Sequence, residues 1–170
     1  GAHGAALGHA AMSFRPDMAT IEDTARLLYI RALKVLPDDI KAGFRRLRQE
    51  ESDATAKTIL ATMTENIAIA EKTDNLLCQD TGIPIYNVLI GPGVELDGAA
   101  LKAAIRQGVA RATREYPLRS SIVHPLTRAN ENTSCGPGVP VIYLDFSERA
   151  DELRLEMIPK GSGSENGSFL

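Results

Sequence analysis

The spacing of apolar residues changes along this 170-residue chain, and that change limits the folds available to it. Between residues 20 and 73, apolar side chains recur every three or four positions, which predicts helices. After residue 118, apolar side chains come in short or alternating runs, which predict strands. Helices followed by strands favour an α+β fold, with N-terminal helices followed by a mixed, mostly antiparallel β region. The length suits a single domain.

Polar capping residues mark the starts of four predicted helices. Thr20 is followed three residues later by an acid, Asp23, and this capping-box pattern predicts that the first helix opens at Thr20. A second helix is predicted to open at residue 38 or 39, and a third at residue 52 or 53. Asp97 is predicted to cap the fourth helix, which ends before Pro117.

Short apolar runs predict four strands. Residues 85–90 form an apolar run that ends at a Gly-Pro-Gly turn, which is typical of a buried strand. Residues 121–126 are predicted to form a second strand. Residues 139–146 and 153–158 alternate between apolar and polar side chains, and we expect them to pair as a hairpin through an acidic turn near Asp151.

Charge and composition exclude several classes of protein. The net charge is −3 and no basic block is interleaved with aromatic residues, so the sequence predicts no nucleic-acid binding. No apolar run approaches the roughly 20 residues that span a bilayer, so it predicts no membrane partner. Two cysteines, Cys78 and Cys135, are too few for a disulfide scaffold and favour a reducing, cytoplasmic setting. We interpret residues 1–11 as a non-native leader before a start at Met12.

A five-residue stretch from Cys78 to Gly82 carries most of the chemistry in the sequence. It combines a thiol, an amide, a carboxylate, a hydroxyl and a glycine that permits a sharp turn. Two leucines before it can anchor the loop at the edge of a core. The stretch therefore predicts a functional site, although a lone cysteine can also serve simply as a small buried apolar residue.

Other arrangements of reactive residues have weaker support. Cys78 and His124 could form a nucleophile and its base, but no local pattern favours that pair. Cys78, Cys135 and His124 are too widely spaced for a typical zinc site. An iron–sulfur centre needs several thiolates, so further ligands would have to lie beyond Leu170. The glycine- and serine-rich residues 161–164 could bind an anion or could form a flexible linker. They are not a Walker A loop, because in that loop the lysine follows the glycines, whereas here Lys160 precedes them.

Four motifs in sequence order resemble one enzyme family. They are Leu77-Cys78-Gln79-Asp80-Thr81-Gly82, Tyr116-Pro117-Leu118-Arg119, His124-Pro125-Leu126-Thr127-Arg128 with Asn132-Thr133, and Pro159-Lys160-Gly161-Ser162-Gly163-Ser164-Glu165-Asn166. Together they resemble the α-type catalytic region of the iron–sulfur hydro-lyases, class I fumarate hydratase and L-tartrate dehydratase. The resemblance implies that residues 12–170 are the N-terminal part of that catalytic domain, truncated before its end.

The resemblance also implies roles for individual residues. Cys78 would be the first of three cysteine ligands of a 4Fe–4S cluster. Gln79 and Asp80 would contact the substrate beside the open iron, and Asp80 would take part in proton handling. Arg119 would hold a substrate carboxylate, and the backbone at Gly161 would approach the other end of the substrate. The simpler alternatives are a surface arginine at 119 and a turn-capping aspartate at 80.

The implied activity is reversible hydration of fumarate to malate, as in the tricarboxylic acid cycle, or the related dehydration of tartrate. A β subunit or β-type domain would supply further site residues, in a homo- or hetero-oligomer. Two departures from the family pattern stand out: residues 130–135 differ from its usual Asn-Thr-Gly sequence, and Ser162 replaces a glycine. Cys135 is expected to be a free thiol. The alternative is a non-catalytic assembly or regulatory domain that binds a small dicarboxylate.

Overall fold

The computed structural model of the chain describes residues 13–78, 80–161, 163 and 167. Within these residues the helices precede most of the sheet, which confirms the α+β prediction. In chain order the elements are α1 (Met18–Lys34), α2 (Asp38–Glu50), α3 (Ala54–Thr73), β1 (Ile83–Ile90), α4 (Gly98–Glu115), β2 (Val141–Phe146) and β3 (Leu153–Lys160).

Aspartate side chains cap three of the helices. Asp53 and Asp97 accept backbone N–H bonds at the starts of α3 and α4, as predicted. The first cap is Asp17 and not Thr20, because the Asp17 carboxylate accepts the backbone N–H groups of residues 19 and 20. The Thr20 hydroxyl donates to the same carboxylate at 2.9 Å, so Thr20 supports the cap from within the first turn.

The three strands form a mixed sheet in the order β2-β1-β3. β1 runs parallel to β2 and antiparallel to β3. The predicted hairpin between residues 139–146 and 153–158 is therefore wrong, because β1 lies between those two strands. β1 is apolar except for Asn87 and buries alternate residues, so the central position covers it best, whereas the more exposed β2 and β3 occupy the edges.

A strand is predicted for residues 121–126, but residues 121–124 have no regular structure and a turn follows at residues 125–127. Pro125 has no N–H to give to a strand ladder. The imidazole Nδ1 of His124 accepts the backbone N–H groups of Leu126 and Thr127 at 3.3 and 3.2 Å, which closes the chain into a tight turn. The side chain of His124 thus competes successfully with sheet pairing for these backbone donors.

The core lies between the α1–α4 pair and one face of the sheet. Its fully buried large side chains include Tyr29, Tyr86, Leu101 and Ile105. The two helices pack so closely that a β-carbon on Gly108 of α4 would lie 2.4 Å from the backbone oxygen of Glu22. This tight helix pair forms the rigid base on which the neighbouring loops rest.

Helices α2 and α3 pack on each other outside this core. No residue of α2 is buried, and in α3 only Ala70 is buried among the described residues. Several large apolar side chains on the two helices face solvent, among them Ile40, Leu47, Ile59 and Ile69. None of the helices in the described ranges has both the length and the apolar character that a bilayer crossing requires.

Candidate functional site

The Cys78 loop (residues 78–82) joins the end of α3 to the start of β1. Its entry is fixed at Asp74, which ends α3 in the left-handed conformation with φ of 58°. The Asp74 carboxylate forms an ion pair with Lys34, and the Tyr116 hydroxyl donates to the Asp74 backbone oxygen at 2.6 Å. The Tyr116 hydroxyl also lies 3.0 Å from the Asp74 carboxylate. The hydrogen bonds that the carboxylate accepts from Lys34 and from Tyr116, the one from Lys34 first, lower the pKa of Asp74. The loop therefore leaves from a point fastened to both α1 and the end of α4.

Leu77, the residue before Cys78, is held by hydrogen bonds at both its backbone N–H and its backbone carbonyl. The Leu77 N–H donates to the Leu33 carbonyl at 3.4 Å, and the Asn66 side-chain amide donates to the Leu77 carbonyl at 3.0 Å. Cys78 itself is exposed and not in a disulfide. The Asp80 N–H donates to the Cys78 sulfur at 3.4 Å, and Asp80 is half-buried. The loop thus presents a thiol at the surface on an anchored backbone. The predicted site residue Gln79 lies outside the described residues.

Thr81 connects the Cys78 loop to the Arg119 segment (residues 118–121). The Thr81 side chain is fully buried, and its hydroxyl donates to the backbone carbonyl of Arg119. The Thr81 carbonyl accepts a bond from the Tyr29 hydroxyl at 3.3 Å. Tyr29 belongs to the core of α1, so Thr81 links the site to the rigid part of the molecule.

Gly82 brings the Cys78 loop against the strand that leads into Gly161. Its φ of +65° lies in the left-handed region, and a β-carbon there would lie 2.3 Å from the Lys160 backbone oxygen. The next residue, Ile83, pairs with Lys160 across the sheet. Gly161 is half-buried at this end of β3. The Cys78 loop and the backbone at Gly161 are therefore in direct contact.

Arg119 follows the buried Leu118, which fixes the chain just before it. The Arg119 side chain is exposed, and its guanidinium makes no hydrogen bond or ion pair with any residue in the described ranges. Several other arginines are engaged in ion pairs, for example Arg26 and Arg111 on the α1–α4 face. Arg119 is thus a cation available to an anionic ligand.

A cluster of buried hydroxyl groups lies behind the site and was not foreseen from the sequence. The Thr113 hydroxyl lies 3.0 Å from the Ser134 hydroxyl, and both side chains are buried. The Ser134 N–H donates to the Ser120 hydroxyl at 3.0 Å, so residues 130–135 are fastened to the Arg119 segment. Burial raises the pKa of Tyr29, while hydrogen bonds with Ser134 and Thr81 act in the opposite direction. The only signal in the sequence was the Thr81 hydroxyl in the Cys78–Gly82 stretch.

The two remaining candidates have structural surroundings. His124 uses Nδ1 to accept the two backbone N–H groups of its own turn, which is a structural role for that nitrogen. Cys135 is half-buried and unbridged, as expected for a free thiol. Burial raises the pKa of the Cys135 thiol, so it stays protonated at neutral pH and is a poor nucleophile.

The chemistry of Cys78 fits a ligand of an iron–sulfur centre. A thiolate is the ordinary ligand of such clusters, and hydrogen bonds from backbone N–H groups to the sulfur are one way in which proteins tune them. The Asp80 N–H already supplies such a bond. Within the described residues, no group of three or more His, Cys, Asp or Glu side chains is placed to hold a metal ion together. Cys78 is thus a single candidate ligand.

Comparison with known proteins places this arrangement in a family. Residues 22–170 match the family described as fumarate hydratase (Fumerase). A protein named as the α subunit of an L(+)-tartrate dehydratase from Methanocaldococcus jannaschii is 40% identical over 152 residues, covering 88% of this chain and 53% of that protein. A protein named as a class I fumarate hydratase from Geobacillus stearothermophilus is 31% identical over 88% of this chain and 29% of its own length.

A third relative is the α subunit of L(+)-tartrate dehydratase from Escherichia coli K12. It is 30% identical over 75% of this chain and 42% of its own length. The chain therefore spans about half, or less, of the length of these relatives. With the family match extending over most of the sequence, the chain belongs to the fumarate hydratase (Fumerase) family.

Proposed function

We propose that this chain is the N-terminal part of the α subunit, or α-type region, of a 4Fe–4S hydro-lyase that hydrates fumarate reversibly to malate or dehydrates tartrate. The observation that carries the proposal is the meeting of three separate segments. The Cys78 loop contacts the backbone at Lys160 and Gly161 through Gly82, and it reaches Arg119 through Thr81. The Cys78 loop thus supplies a thiol and a carboxylate, and the Arg119 segment, more than 30 residues further along the chain, supplies a cation to the same region.

Cys78 is proposed as one cluster ligand, and the remaining ligands would come from parts of the enzyme outside this chain. This agrees with relatives that are about twice as long or longer. When bound, a 4Fe–4S cluster with an open iron supplies a Lewis acid for the hydroxide that leaves or arrives. The exposure of Cys78 supports this role, because a sulfur at the surface is accessible to a cluster that borders the substrate cavity, whereas a sulfur packed in the core is not.

The charged residues of the site suit a dicarboxylate. Arg119 would bind one carboxylate through two parallel N–H donors, which is the geometry that a guanidinium offers. The backbone at Gly161 would approach the other end of the substrate, where exposed N–H groups favour negative charge. Asp80 is proposed to handle a proton at the reacting carbon, and Gln79 to hydrogen-bond the substrate beside it.

The complete enzyme is proposed to need a β subunit or β-type domain and to form a homo- or hetero-oligomer. Two of the relatives are named as α subunits. Exposed apolar side chains on α2 and α3, such as Ile40 and Ile59, also support packing against further protein. A cytoplasmic location, and a place in the tricarboxylic acid cycle if fumarate is the substrate, belong to the same proposal.

Anaerobic reconstitution of the complete enzyme tests the proposal. The enzyme, with its β partner, should turn over fumarate or tartrate, and a panel of small hydroxy-dicarboxylic acids would identify the preferred substrate. Arg119→Lys keeps the charge but loses the two-pronged geometry, so it should raise KM for the dicarboxylate at least tenfold. Asp80→Asn should lower kcat by two orders of magnitude or more.

Surface arginine Arg154 on β3 offers a matched control, because it lies 57% exposed beside Glu152 and Glu156. Arg154→Lys should leave KM unchanged. Binding of a dicarboxylate without any turnover by the reconstituted enzyme would contradict the hydro-lyase proposal and would support a non-catalytic assembly or regulatory domain.

A further inference from the structure

Thr81 is a polar residue of the Cys78 loop whose side chain is fully buried. It makes two hydrogen bonds to residues that are distant in sequence, one through its side chain and one through its backbone. Its hydroxyl donates to the Arg119 carbonyl, 38 residues away, and its carbonyl accepts from the Tyr29 hydroxyl, 52 residues away. A buried polar group with such partners holds specific segments together, because an unmet hydrogen bond there is costly.

We propose that Thr81 is a positioning residue, which sets the direction of the Arg119 side chain relative to Cys78 and Asp80. This inference rests on the proposed function, since it assigns Arg119 to the substrate carboxylate. Thr81 does not itself touch the substrate in this proposal. It acts by holding the backbone from which the guanidinium extends.

The surroundings of Arg119 make this backbone bond important. The guanidinium has no hydrogen-bonding or ionic partner within the described residues, so side-chain contacts do not fix its direction. Its placement depends on the backbone, which is fixed by the buried Leu118 on one side and by the Thr81 hydroxyl at the residue itself. Binding a carboxylate through two parallel bonds tolerates little error in the orientation of the guanidinium plane.

Tyr29 supports Thr81 through the Thr81 backbone carbonyl. The tyrosine is fully buried in α1 and donates to the Thr81 carbonyl at 3.3 Å. The chain of bonds therefore runs from the helical core through Thr81 to Arg119. A loop tied in this way keeps the backbone at Arg119, from which the guanidinium extends, close to the Cys78 loop when the substrate is absent.

Two substitutions in the complete, reconstituted enzyme separate this role from simple loop stabilisation. Thr81→Val keeps the shape of the side chain and removes the donor, whereas Thr81→Ser keeps the donor. We expect Thr81→Val to raise KM about tenfold, the equivalent of one hydrogen bond, with kcat within about threefold of the wild type. Thr81→Ser should restore KM to within about threefold of the wild type. A fall in kcat at constant KM, or equal effects of the two variants, would overturn the proposal.

A double-mutant cycle with Arg119→Ala identifies the route of the effect. If Thr81 acts through Arg119, then adding Thr81→Val to Arg119→Ala should cause no further rise in KM. A second tenfold rise in the double variant would show that Thr81 acts elsewhere and would overturn the proposal.

Amide hydrogen exchange of the same variants gives a readout that does not depend on turnover. Thr81→Val should speed exchange in the Cys78 loop and in the Arg119 segment together, and Thr81→Ser should not. Faster exchange in the Cys78 loop alone, or in neither segment, would overturn the inference. If the wild-type enzyme turns over no dicarboxylate, the proposed function fails, and the exchange result still decides whether Thr81 ties the two segments.

Tyr29→Phe provides a second variant if Thr81→Val does not fold. It removes only the hydroxyl that holds the Thr81 carbonyl. The same two segments should then show faster exchange, by a smaller factor than in a foldable Thr81→Val. Unchanged exchange in the Arg119 segment of Tyr29→Phe would contradict the proposed chain of bonds.

Discussion

Replacing Gly82 with alanine tests the contact between the Cys78 loop and the end of β3. The new β-carbon would lie 2.3 Å from the Lys160 backbone oxygen and 2.6 Å from its carbonyl carbon, both of which are backbone atoms that cannot rotate away. The φ of +65° adds a second cost, since the left-handed conformation is unfavourable for alanine by about 1–2 kcal/mol. Relieving the overlap by moving the backbone costs about another 1–3 kcal/mol.

The expected loss for Gly82→Ala is therefore about 3 kcal/mol in the free energy of unfolding, or roughly 6–12 °C in Tm for a chain of this size. Two other glycines separate the cost of the steric overlap from the cost of the left-handed φ. Gly138 has a φ of +72° but nothing within 4 Å of the added carbon, so Gly138→Ala should lose only about 1–2 kcal/mol. Gly98 has neither the overlap nor a left-handed φ, and Gly98→Ala should lose no stability and should gain up to about 1 kcal/mol.

Urea unfolding followed by circular dichroism would measure the three variants side by side. Equal losses for Gly82→Ala and Gly138→Ala would refute the reasoning, because they would show that the close approach to Lys160 adds nothing. In the complete enzyme, Gly82→Ala should also weaken cluster retention, since it separates the Cys78 loop from the backbone at Gly161.

Three further predictions follow from other parts of the chain. Asp17→Ala should destabilise the protein by about 1 kcal/mol and Thr20→Ala by less, as measured by urea unfolding, because the Asp17 carboxylate is the cap of α1. Because the pKa of Asp74 is lowered, the contribution of Asp74 to stability is present above the ordinary pKa of 3.8 and is lost as the pH falls through the lowered value. Because the pKa of Lys34 is raised, the contribution of Lys34 is lost only as the pH rises through that raised value. Asp74→Asn should therefore flatten the acid side of a plot of Tm against pH. The 170-residue chain alone should show no turnover of fumarate or tartrate, because it is proposed to carry one of three cluster ligands.

Local signals in the sequence predicted the helices well. The carboxylates of Asp53 and Asp97 precede helical periodicity and cap α3 and α4 as expected. The exception is the start of α1, where the pattern at Thr20 also fits a residue inside the first turn, and Asp17 was the better acceptor. The residue that caps a helix is chosen from the few residues next to the helix start, so short-range sequence patterns predict most helix starts.

Strand pairing could not be predicted in the same way. The alternation in residues 139–146 and 153–158 shows that they are strands, but it does not show whether they pair directly or through a third strand. The insertion of β1 between them depends on contacts more than 50 residues apart. Likewise, the turn at His124 depends on the imidazole nitrogen that accepts backbone N–H groups, and the apolar residues around His124 give no sign of that hydrogen bond.

The composition of the candidate site was predictable in part. Cys78, Asp80, Arg119 and Gly161 were named from motifs, and the structure brings their segments together. Their proposed roles stay predictions. The Thr81 hydroxyl bond to Arg119 could not be inferred, because a threonine in a loop motif gives no sign of a partner 38 residues away.

The most direct test of the account is the iron content of the complete enzyme after anaerobic reconstitution, compared between two cysteine variants. Cys78 is exposed in the loop that meets Arg119 and Gly161, whereas Cys135 is half-buried with a raised thiol pKa. We expect Cys78→Ala to fold normally, to lose the bound cluster and its visible absorbance, and to lose turnover. Cys135→Ala should retain iron close to that of the wild type. A Cys78→Ala enzyme that keeps a full cluster and full turnover would contradict the account.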